Sequence, residues 1–91
     1  MNMKMINPQT EEDKNLLKIG KYIQYLRKTR TGLSAEKFAN KKDFDRVQYS
    51  RIENGANITM KTLLKVIASH HMTLEDFLFD FIQKNRNYSK K

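Results

Sequence analysis

The side chains with most chemical potential in this chain fall between positions 46 and 51: Arg46, Val47, Gln48, Ser50 and Arg51. If Tyr49 and Ile52 turn inward on a helix, then Arg46, Val47, Ser50 and Arg51 fall at i, i+1, i+4 and i+5 and cover one outward face. Two guanidinium forks and a hydroxyl make that face a set of hydrogen-bond donors around a small apolar group. Such a set grips another molecule and makes or breaks no bonds. Catalysis has little to draw on elsewhere. No nucleophile stands with a base and an orienting group, and no glycine loop could cradle a phosphate. There is no Cys, which excludes disulfides, thiolate metal sites and thiol chemistry. His70 and His71 are adjacent, point about 100° apart on a helix and cannot grip one metal together. The expectation is a protein that is not an enzyme, with no metal and no cofactor.

The charge says what such a face would meet. Eighteen Lys and Arg stand against ten Asp and Glu, giving a formal net charge of +8 in 91 residues. Residues 27–51 hold eight basic and three acidic side chains, whereas residues 52–82 hold two basic and four acidic ones. A basic middle beside a more apolar half suggests one face for a polyanion and another for a core or partner, with nucleic acid the first candidate. The length suits one small domain. No apolar run approaches the roughly 18 residues of a membrane span. Residues 1–10 have no apolar signal core, so the chain is expected to stay in the cytoplasm.

Helical periodicity supplies the elements that would hold these residues. Leu16, Ile19, Ile23 and Leu26 form one stripe, and Thr10 before Glu11, Glu12 and Asp13 suits a capped helix start, predicting a helix over about 11–28. Gly20 inside it costs roughly 1 kcal/mol against Ala, which close approach by another helix would explain. Ser34 caps a short second helix with Phe38 and Ala39 inward, and 40–43 is the exit turn. Asp45 and Gln48 have the spacing of a capping box for a third helix, which Asn54-Gly55 stops. Thr59 caps a fourth, with the stripe Met60, Leu63, Leu64, Ile67 and His70. Thr73 caps a fifth, with Leu74, Phe77, Leu78 and Phe81 inward. Nothing alternates with the period of a strand. The class is all-α. The expected parts are a flexible leader at 1–10, a domain at 11–82 and a mobile basic tail at 83–91.

The segments Gly32-Leu33-Ser34-Ala35-Glu36-Lys37-Phe38-Ala39 and Arg46-Val47-Gln48-Tyr49-Ser50-Arg51-Ile52-Glu53-Asn54-Gly55 resemble the helix-turn-helix of phage repressor and Cro-type regulators. Residues 57–67 resemble the fourth-helix segment of the same family, and the resemblance covers about 16–79. It implies a compact five-helix DNA-binding domain whose third helix lies in the major groove. In that setting Arg46 and Arg51 can each take a guanine edge with two hydrogen bonds, and Val47 can touch a thymine methyl. Gln48 can read adenine or cap its helix, Ser50 lies on the same face, and Arg51 suits a phosphate as well as a base. Lys41 and Lys42 suit phosphate or solvent. Ser34 is first a helix cap whose amide end can also meet a phosphate. Asn54 and Asn57 are turn residues that the resemblance makes phosphate candidates.

Other features follow from the same resemblance. The family often buries an ion pair at the places held by Arg27 and Glu53. Where the second helix commonly begins with Gln, this chain has Ala35; where the turn usually holds Gly, it has Asp43, which tolerates a left-handed backbone better than most residues. His71 stands where a helix-ending Gly or Asn is usual. Phe79 and Ile82 give the fifth helix more apolar surface than one core needs, which points to a homodimer reading two half-sites. The resulting expectation is a sequence-specific DNA-binding transcriptional regulator, a repressor, bound to double-stranded DNA. Phage or mobile-element repressors, restriction-modification controllers and self-repressing antitoxins all remain open. The alternative is a protein-interaction module, such as an antitoxin whose partner is a toxin.

Overall fold

The computed structural model describes residues 10–89, which contain five helices and no strand. They are α1 (Glu11–Arg30), α2 (Ala35–Lys41), α3 (Arg46–Glu53), α4 (Met60–Ser69) and α5 (Leu74–Ser89). The chain divides into two compact units, Met1–Asn57 and Ile58–Lys91. Apart from Thr10, the leader expected at 1–10 lies outside the described residues.

Each helix begins where a side-chain oxygen meets an unsatisfied amide. The hydroxyls of Thr10, Ser34, Thr59 and Thr73 accept from the backbone N–H of Asp13, Lys37, Thr62 and Asp76, and the Asp45 carboxylate accepts from that of Gln48. Each such cap stabilises its helix by about 1 kcal/mol over Ala. The helix ends are equally local. Asp43 (φ 64°) and His71 (φ 58°) are left-handed residues other than Gly, and Gly55 (φ 92°) closes α3. At Asp43 the chain reverses tightly enough for the Phe44 N–H to donate to the Ala39 carbonyl at 2.8 Å.

The first unit packs α1 across α2 and α3. Ile23, Leu26, Phe38, Ala39, Tyr49 and Ile52 are its buried apolar residues, with Tyr22 beside them. Gly20 is where α1 crosses the end of α3: a Cβ there would sit 2.7 Å from the carbonyl oxygens of both Ile52 and Glu53. The close approach therefore requires a residue without a side chain. The turn between α2 and α3 is tied down by rings, with Tyr49 5.2 Å from Phe38 and 5.3 Å from Phe44 between centroids.

In the second unit α4 packs on α5, and two expectations need correction. The buried residues of α4 are Val66 and Ile67, and its C-cap His70 is buried as well, while Met60 and Leu64 are exposed. At about 100° per residue, Val66 joins Leu63, Ile67 and His70 on one arc, and Met60 and Leu64 fall at its edge. The period was legible but the inward face is rotated by about 50°. Among the apolar residues of α5 whose burial is described, only Phe77 is fully buried; Leu74 and Leu78, expected inward, are exposed. In addition α5 runs on to Ser89, through residues expected to form a mobile tail, because nothing in Gln83–Ser89 breaks a helix.

Candidate DNA-binding surface

The outer face of α3 is built by what its inner face must bury. Tyr49, Ile52 and Glu53 are buried, and Arg46, Val47, Gln48, Ser50 and Arg51 are all exposed. Val47 is an apolar residue 59% exposed at the front of the helix. Arg46, Val47, Ser50 and Arg51 join Ala35 and Glu36 of α2 in lining a shallow groove of about 480 Å³. The structure thus brings four of the five α3 residues into one concavity beside the start of α2.

A contact missed from the sequence crosses that groove. The Arg46 guanidinium donates to the Glu36 carboxylate, Nη1 to Oε2, with both side chains exposed. Glu36 sits ten positions before Arg46, across a turn, where helical periodicity relates nothing. Only the α2–α3 crossing brings the two together.

The residues expected to meet phosphate are more scattered. Ser34 is exposed at the start of α2, its hydroxyl accepting from the Lys37 N–H at 3.2 Å. Lys41 is exposed at the other end of α2, and Lys42, half-buried, is its C-terminal cap. Asn54 is the C-cap of α3, and its side-chain amide donates to the Ser50 carbonyl at 2.8 Å. Asn57 is exposed in the segment after α3.

Behind the face lies a charged anchor. Arg27 Nε donates to Glu53 Oε2 at 2.7 Å and Nη2 to Oε1 at 2.9 Å, a two-pronged pair with both residues 6% exposed. The remaining fork of Arg27 donates from Nη1 to the Leu33 carbonyl at 2.7 Å. One side chain of α1 thereby fixes the end of α3 and the approach to α2. The bonds to Glu53 raise the Arg27 pKa, and burial opposes them. The Tyr49 hydroxyl is buried beside this pair; burial first, and then the Glu53 carboxylate, push its pKa far above the ordinary value of 10.0. Phe44, which locks the turn against Tyr49, was also missed from the sequence. An aromatic residue inside a polar turn was the available signal.

Elsewhere, Phe79 is 66% and Ile82 48% exposed on α5. Among the described residues no helix is long and apolar enough to cross a membrane. A helix-turn-helix family model matches residues 23–77, which take in α2, the turn and α3. A Mycoplasma protein described as control protein C.MunI is 42% identical over 69 residues, covering 75% of this chain and 92% of that protein. No solved structure matches the chain significantly. Two capped helices crossing at a left-handed turn, a donor-rich outer face on the second of them, and these two similarities lead to one identification: the chain belongs to the helix-turn-helix family and is a DNA-binding transcriptional regulator.

Proposed function

We propose that this regulator lays α3 in the major groove, with Arg46, Val47, Gln48, Ser50 and Arg51 toward the bases and Ser34, Lys41, Lys42, Asn54 and Asn57 toward phosphates. One observation carries the reading: every residue on the outer face of α3 is exposed and suited to base edges, while the inner face is wholly committed to the core. The major groove, about 12 Å wide, admits one helix. Arg46 offers the fork that matches guanine N7 and O6, and Val47 an apolar contact for thymine.

Phe79 and Ile82 support a two-fold dimer. Leu74, Leu78 and Ile82 fall at i, i+4 and i+8 on α5, so their exposed side chains make one apolar strip with Phe79 at its flank. A two-fold pair of regulators sets its reading helices about 34–36 Å apart and reads an inverted repeat. Of the roles left open by the sequence, similarity to a control protein favours a restriction-modification controller in the cytoplasm, acting as a repressor, over toxin neutralisation. Selection of bound duplexes from a random pool tests the reading. It should return an inverted repeat with half-sites one helical turn apart. Recovery of asymmetric or unrelated sequences would contradict it.

A further inference from the structure

Glu36 is the one acid among the residues that line the groove between α2 and α3. It stands at the second position of α2, exposed, and lines the same groove as Arg46, Val47, Ser50 and Arg51. An exposed carboxylate there repels phosphate, so it weakens attraction to DNA of any sequence. As a clamp between α2 and α3 it adds little, since an exposed ion pair is screened and costs side-chain freedom. Its chemistry in the groove is more informative. An ionised carboxylate accepts hydrogen bonds and donates none. In the major groove guanine presents two acceptors, thymine an acceptor and a methyl, and adenine an acceptor beside its donor. Cytosine alone offers a donor, its N4 amino group, with no acceptor.

Arg46 and Glu36 in contact therefore present donors beside an acceptor. That is the complement of a G·C pair, with guanine N7 and O6 facing the guanidinium and the cytosine amino group facing the carboxylate. We propose that Glu36 is a specificity-determining residue: it accepts from the cytosine amino group at the G·C step whose guanine Arg46 takes, and it disfavours random DNA by repelling phosphate. This inference rests on the reading of Arg46 as a base contact.

The test uses the full chain and its selected site. Binding is measured at fixed salt for the parent, Glu36→Gln, Arg46→Ala and the double variant, each checked for an unchanged melting curve. The duplexes carry each of the four base pairs in turn at every position, and one carries pyrimidin-2-one, which lacks the amino group, in place of the cytosine. The parent should lose about fivefold or more on the duplex without the amino group, and Glu36→Gln should lose nothing further there. Glu36→Gln should also bind random duplex several-fold more tightly at low salt. A residue that merely held Arg46 in place would change the guanine preference and leave the parent insensitive to the amino group. If Arg46→Ala relaxes one guanine position while the parent ignores the missing amino group, Glu36 does not read cytosine and Arg46 keeps its role. If Arg46→Ala weakens all sequences alike, the Arg46 reading fails and the proposal falls with it.

Discussion

Arg27 shows how much one side chain can organise. Its guanidinium holds Glu53 with two prongs and the Leu33 carbonyl with a third, so α1, the end of α3 and the entry to α2 meet on one group. Arg27→Met would leave the Glu53 carboxylate buried without a counter-charge, at a cost of about 3–5 kcal/mol. Denaturant melts should show that loss, and Arg27→Met combined with Glu53→Leu should recover part of it, because a buried pair replaced by apolar groups is often neutral. Tyr49 adds a pH dependence. Its folded pKa is raised, so its contribution to stability is complete below the unfolded value near 10.0 and is lost as pH rises above it. Melting midpoints followed from neutral pH to above pH ~10 should therefore fall less steeply for Tyr49→Phe than for the parent. The Arg27–Glu53 pairing was open to the sequence through family resemblance alone. Glu36 was not, since its role depends on a crossing of helices that no local spacing encodes.

At the scale of elements, every helix start was legible because caps are local: Thr10, Ser34, Asp45, Thr59 and Thr73 each satisfy an amide within three residues. Packing faces were less so. The stripe on α4 was read with the right period, yet Val66 is buried and Met60 is not, because periodicity fixes the repeat while the neighbour selects the face. Leu74 and Leu78 were assigned inward for the same reason and are exposed. Gly20 was legible as an oddity whose cause needed the structure, namely two backbone carbonyls where a Cβ would stand. Gly20→Ala gains about 1 kcal/mol of helix propensity, and forcing α1 away from α3 costs about 1–3 kcal/mol or more. Since the obstructing atoms are backbone, the loss should win. The melting midpoint should drop, and an unchanged or higher one would mean that α1 and α3 do not approach so closely.

For the whole molecule, the net charge of +8 attracts any duplex, and on the proposed reading specificity would come from the exposed residues of α3 together with Glu36 of α2. Avidity would come from pairing. Phe79→Glu places a charge on the exposed strip of α5 and should convert a dimer into a monomer in sedimentation at micromolar protein, with the fold retained. Binding to the selected site should weaken strongly, because linked half-sites gain from effective concentration. A parent protein that sediments as a monomer, alone and on DNA, would rule the dimer out.

The division of labour between reading and holding is most directly measured by comparing Arg46→Ala with Lys41→Ala on the selected site and on random duplex over a range of salt. Arg46→Ala should relax preference at one base pair by about 1–3 kcal/mol, and Lys41→Ala should weaken all sequences alike and reduce the salt slope by about one. Equal losses on selected and random DNA for Arg46→Ala would contradict base reading by α3.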